Sequence, residues 1–191
     1  MPSIQKSERN TALPIVDTEE FMKRQSREFE VGRLATAPDI KLLRGLQNLE
    51  FETAWVLQVP NWYVVRGIRG LFCIPNRYMP ANSDVLMHSH PFNAKDEGND
   101  SAMPSPGDFF NGSPIAKNYI ISPVGITRFW PVEDRRGRME IECEMSAFTP
   151  RFEERSSRAE YVQFLNDIGA KYEIHPWDAV DEQKLAELLA R

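Results

Sequence analysis

The run Asp84-Val85-Leu86-Met87-His88-Ser89-His90-Pro91 constrains this chain more than any other stretch. Apolar residues lead straight into two histidines and a proline, which reads as a buried strand whose end carries the imidazoles. The chain has 3 histidines, and two of them stand two positions apart. On a strand, residues i and i+2 project from one face, so both rings can approach a single ion. A catalytic zinc takes three protein ligands, commonly two His and one carboxylate, and keeps a fourth position for water. The third donor must come from elsewhere in the chain, and Asp108 is the best placed candidate.

Asp108 closes the sequence Ser105-Pro106-Gly107-Asp108, which has the signature of a helix start. Taken alone, Ser-x-x-Asp is a capping box with proline at the favoured first helical position. Residues i and i+3 also share one side of a helical turn, so Ser105 and Asp108 can face one spot. The two readings are compatible, because a capped helix end is a rigid mount for a ligand. A hydrolytic zinc site needs a base as well. Glu50 and Glu52 both precede the apolar run Ala54-Trp55-Val56-Leu57 and would point to the same face.

The surrounding pattern indicates an α+β domain, with helices at both ends of a strand-rich middle. Acidic residues at Asp17-Thr18-Glu19-Glu20 open a helix expected over about 17–30, after a polar arm, and Pro38-Asp39 opens a second one ending near Gly45. Strands are expected at 53–57, 62–68, 71–74, 84–87, 118–122, 126–130, 139–145 and 172–175. The polar segment 92–103 reads as a loop of the length that often acts as a lid. Tyr161, Phe164, Leu165 and Ile168 repeat at helical spacing before Gly169, and a last helix is expected over 180–191. The organisation read from this is an N-terminal arm with helices over 1–46, a catalytic core over 47–150, and a C-terminal helical extension over 151–191 packed on that core.

In order along the chain, Glu52, then His88-Ser89-His90-Pro91, then Ser105-x-x-Asp108 resembles the JAMM motif of the JAB/MPN metalloprotease family. The stretch 118–126 also resembles the strand and turn that follow the motif in bacterial JAB-like toxin domains. The resemblance spans about residues 49–132. It implies a mixed central sheet flanked by helices, a deaminase-like α/β/α core. By position it makes His88, His90 and Asp108 the ligands of Zn2+, Glu52 the base that activates water, and Ser105 the residue that stabilises the oxyanion. It implies hydrolysis of a peptide or isopeptide bond, with a protein or peptide substrate and a ubiquitin-like conjugate as the obvious class. The alternatives it leaves are a bacterial toxin or effector acting on another amide bond, and an inactive binding module of MPN type. Three departures stand out. The segment between His90 and Ser105 is longer than the family pattern, Glu50 competes with Glu52, and Thr53-Ala54-Trp55 replaces a glycine-containing segment, which would bring a large Trp near the site.

Composition narrows the field from the other side. The net charge of −5 argues against a nucleic-acid face, which needs clustered Lys and Arg. Charged residues interrupt every apolar stretch, so no membrane span is expected, and Met1-Pro2-Ser3-Ile4 lacks the apolar segment of a secretory signal. The expectation is a protein cytoplasmic as synthesised, with delivery as an effector left open. Cys73 and Cys143 form no C-x-x-C pair and read as buried thiols, with a disulfide between them as the alternative. His175 reads as a strand histidine with a local hydrogen bond.

Overall fold

Strand β4 (Val85–Ser89) is buried along its whole length, as the apolar run ending in histidine demands. A strand buried on both faces belongs in the interior of a sheet with both faces covered. The computed structural model describes residues 13, 15–17, 20–21, 30–45, 52–67, 85–90, 102–105, 108–109, 117–130, 155–167 and 169–190. In it β4 is the central member of a seven-stranded mixed sheet. The other strands are β1 (Glu30–Leu34), β2 (Thr53–Gln58), β3 (Asn61–Arg66), β5 (Lys117–Ile121), β6 (Gly125–Trp130) and β7 (Lys171–Pro176), in the spatial order β1-β3-β2-β4-β5-β6-β7. All neighbours are antiparallel except β4 and β5, which run parallel. A parallel pair needs a crossover, and the chain between 90 and 117 supplies it. That crossover leaves from the end of β4 that carries the histidines.

Alternation along the strands sorts the side chains into two layers. One face presents Trp55, Val64, Val85, Met87, Tyr119, Ile121 and Ile126 to helix α1 (Ile40–Gly45) and helix α3 (Glu182–Ala190), which contribute Leu43, Leu185 and Leu188. The opposite face presents Ile120 and Phe129 to Tyr161 and Leu165 of helix α2 (Arg155–Asp167), with Phe109 beside them. On that same opposite face, Ala54, Val56, Val65 and Leu86 form a further buried cluster. Helices on both sides of one sheet give a mixed α/β architecture, within which the expected central sheet flanked by helices is present.

Aspartates start the helical turns, each accepting a backbone N–H of the first turn and so filling an otherwise orphaned donor. Asp39 accepts from Leu42 at 2.7 Å, Asp181 from Lys184 at 2.7 Å and Asp17 from Glu20 at 2.9 Å. Gly169 ends α2 at φ 70°, the left-handed conformation that glycine adopts without strain. Helix α3 is fastened to the sheet at its last turn. The Tyr119 hydroxyl donates to the Leu188 carbonyl, and Lys117 Nζ donates to the Leu189 carbonyl at 3.4 Å. Gly125, at the start of β6, lies against β7 so closely that a Cβ there would stand 2.1 Å from the His175 carbonyl oxygen.

One expectation is corrected outright. The helix expected to run to residue 30 does not reach it, because Glu30–Leu34 is the edge strand β1, paired residue for residue with β3. The helical turn opened by Asp17 is present at Glu20 and Phe21, and residues 22–29 lie outside the described set. The expected strands 71–74 and 139–145, most of the 92–103 loop, both cysteines and Glu50 also lie outside it. Among the described residues no helix is long and apolar enough to cross a membrane.

Candidate metal centre

His88 is the fourth residue of β4, flanked in the ladder by Ala54 of β2 and Ile120 of β5. It is 3 % exposed, and the edge of the Phe129 ring stands against its imidazole at 6.3 Å between centroids. His90 follows just past the strand end, where its N–H donates to the Ile121 carbonyl of β5 at 2.8 Å. The backbone thus stays extended through His90, and both rings emerge on the face shared by Leu86. Their Nε2 atoms lie 3.2 Å apart.

Asp108 arrives from the crossover to complete the group. Its Oδ1 is 2.8 Å from His88 Nε2, and its Oδ2 is 3.2 Å from His90 Nε2. Zinc bonds of about 2.0–2.1 Å at tetrahedral angles hold neighbouring ligand atoms about 3.3 Å apart. With one imidazole 2.8 Å from Oδ1, the other 3.2 Å from Oδ2 and the two Nε2 atoms 3.2 Å apart, one ligand atom from each residue lies within 4.8 Å of the others, close enough to share one small ion. Among the described residues this is the one cluster of His, Cys, Asp or Glu able to hold a metal ion, and two nitrogens with one oxygen suit zinc. Three ligands leave one tetrahedral position for another molecule.

The residue that closes the capping turn is also the candidate ligand. Asp108 Oδ2 accepts from the Ser105 N–H at 2.6 Å and from the Ser105 hydroxyl at 2.8 Å, while the Asp108 N–H donates to the Ser105 carbonyl at 3.1 Å. Oδ2 therefore anchors the turn while also facing His90, and Oδ1 looks toward His88. Burial alone would raise the Asp108 carboxyl, but the two imidazoles beside it hold it well below the usual 3.8. The carboxylate is ionised wherever the protein is folded near neutrality.

Glu52 immediately precedes β2. Extending the register from the Ala54–His88 pair places it opposite His90, and alternation puts it on the face of Ala54 and the two histidines. Its backbone is fixed from both sides. The Glu52 carbonyl accepts from the Gly67 N–H at 2.9 Å, and the next N–H, that of Thr53, donates to the Ser89 hydroxyl at 2.9 Å. Burial raises the Glu52 carboxyl above its usual 4.5, opposed by His88 and His90 and reinforced by Asp108. All three candidate ligands thus act on this one side chain.

The structure therefore brings together His88, His90, Asp108, Ser105 and Glu52. It separates Trp55 from them: Trp55 pairs with Met87 and lies in the core on the other face, so the expected narrowing of the site by this residue does not occur. His175 sits on β7, 3.8 Å from Glu173, away from the group. Two further residues bear on the site without any mark in the sequence. The fully buried Tyr161 of α2 donates to the Pro104 carbonyl at 3.2 Å, and Thr127 of β6 donates to the Ala102 carbonyl at 2.6 Å. Burial first, and then the nearby Asp108 carboxylate, push the Tyr161 phenol far above its ordinary value, so it remains a donor. Neither residue carries a sequence signal, since both act across long separations.

No family model, no curated protein and no solved structure matches this chain.

Proposed function

We propose that the protein is a zinc-dependent hydrolase of an amide-type bond, with His88, His90 and Asp108 as ligands and Glu52 as the general acid–base. The observation that carries this reading is the partly buried Glu52, held on the same sheet face as the two histidines and opposite His90. A purely structural zinc site closes its fourth position with another protein ligand. Here the neighbour is a half-buried carboxylate on the face of the two histidines, the kind of group that serves as a general acid–base. When bound, zinc supplies a nucleophile by polarising a water and lowering its pKa toward neutrality.

The chain's own residues then divide the work. Glu52 takes the proton released as water adds to the carbonyl carbon, and delivers it to the nitrogen as the carbon–nitrogen bond breaks. The products are a carboxylate and an amine. Asp108 and the two histidines orient the reaction, and Ser105 holds Asp108 through two hydrogen bonds. For Ser105 to serve the developing oxyanion, its hydroxyl must turn from Asp108 Oδ2 toward the substrate. The order Glu52, His88-Ser89-His90-Pro91, Ser105-x-x-Asp108 resembles the JAMM motif, and that resemblance selects peptide and isopeptide bonds, with ubiquitin-like conjugates first in line.

The test compares cleavage of isopeptide-linked ubiquitin-like chains by wild type, Glu52→Gln and His88→Ala, with zinc content measured on each. Glu52→Gln should keep its zinc and lose activity by about 10²–10⁴-fold, the usual contribution of a positioned acid–base group. His88→Ala should lose both. An active Glu52→Gln enzyme would remove Glu52 from the mechanism.

A further inference from the structure

The third ligand rides on the crossover rather than on the sheet, so something must hold that crossover still. Pro104 has no N–H and disfavours helical geometry at Met103, so the 3-10 turn at Ala102 stops there and residues 103–105 are not helical. Ala102 and Pro104 are buried, and a buried carbonyl needs a donor. Two hydroxyls provide it from different parts of the fold. Thr127 Oγ1 donates to the Ala102 carbonyl at 2.6 Å, and the Tyr161 hydroxyl donates to the Pro104 carbonyl at 3.2 Å. Thr127 pairs with Ile120, and Ile120 with His88, so all three share one row on one sheet face. From that row the segment runs to Ser105, whose N–H and hydroxyl grip Asp108.

We propose that Thr127 and Tyr161 are positioning residues for the metal site: together they clamp residues 102–105 and set metal affinity by fixing Asp108. The proposal rests on the reading of His88, His90 and Asp108 as zinc ligands. It makes helix α2, which provides no ligand, a determinant of the site. Without either hydroxyl a buried carbonyl is left to seek water, the segment shifts outward, and Asp108 leaves the point on which the imidazoles converge.

The experiment measures zinc affinity by competition with a chelating indicator on the full chain. Tyr161→Phe keeps the ring that packs with Phe109, Ile120, Phe129 and Leu165, and Thr127→Val keeps the shape of the strand residue. Each should weaken zinc binding by about tenfold, the scale on which partners of metal ligands act. Thr127→Ser retains the hydroxyl and should restore binding to within about threefold of wild type. Because both hydroxyls hold one short segment, the double variant should lose less than the product of the single losses. Tyr119→Phe is the control: it removes another buried tyrosine hydroxyl, the donor to Leu188, on the opposite face of the sheet. It should lower the melting temperature and leave zinc affinity unchanged. If Tyr161→Phe does not fold, Thr127→Val against Thr127→Ser decides the matter. Folded variants that bind zinc like wild type would overturn the clamp alone, whereas a wild type that binds no zinc would overturn the metal reading and the clamp with it.

Discussion

Replacing Asp108 by Asn probes the site with the smallest possible change, one oxygen for one NH2. In the protein Oδ2 accepts two hydrogen bonds from Ser105, and Oδ1 stands 2.8 Å from His88 Nε2. An amide cannot satisfy both sides. With its oxygen toward Ser105, its NH2 faces the ligand point and has no lone pair to give. With its oxygen toward the histidines, its NH2 meets the donors of Ser105. Four-ligand zinc sites bind with roughly 10–16 kcal/mol, so one lost ligand costs about 3 kcal/mol, or about a hundredfold in affinity. The metal-free protein should respond differently. The depressed Asp108 carboxyl contributes stability that is present above pH 3.8 and disappears as pH falls through its still lower folded value. Asp108→Asn should lack that acid-dependent contribution and show a flatter stability profile below pH 3.8. The assays are a competitive zinc titration and melting curves across acid pH without metal. Zinc affinity in Asp108→Asn within about threefold of wild type would refute the ligand assignment.

Glu52 predicts the opposite dependence. Its folded carboxyl is raised above 4.5, so its contribution is full below that pH and is lost as pH rises through the folded value. Metal-free Glu52→Gln should therefore melt higher than wild type at pH 7, and equal melting points there would contradict the burial argument. Ser89→Ala removes the acceptor of the Thr53 N–H, a loss of about 1–3 kcal/mol for a buried group, and should slow hydrolysis while zinc stays bound. Unchanged turnover in Ser89→Ala would show that Glu52 does not depend on this contact.

What the sequence made legible and what it hid follow from the range of each interaction. His88 and His90 were readable because a two-residue spacing on a strand fixes a shared face without any knowledge of the rest of the chain. The same alternation places Glu52 and Ala54 with the histidines and Trp55 on the other face, which the size of Trp55 and its closeness in sequence obscure. Strand β1 was hidden because acidic residues near Asp17 suggest a helix, while Glu30–Leu34 owes its conformation to pairing with β3 and to Gly32, where a Cβ would meet Val16 at 2.5 Å. Tertiary pairing overrides local propensity at an edge. The Ser105–Asp108 cap was visible, being local. The donors from Thr127 and Tyr161 were not, since they reach across 25 and 57 residues of sequence.

Metal analysis of the purified protein shows whether the three converging side chains bind zinc. After dialysis against metal-free buffer and titration with zinc, wild type should hold about one zinc per chain, and His88→Ala and Asp108→Asn far less. At a free zinc concentration about a hundred times Kd, binding adds about 2.7 kcal/mol, which for a chain of this size raises the melting temperature by about 5–10 °C. A wild type that takes up no zinc and melts at the same temperature with and without it would rule out a zinc site at these residues.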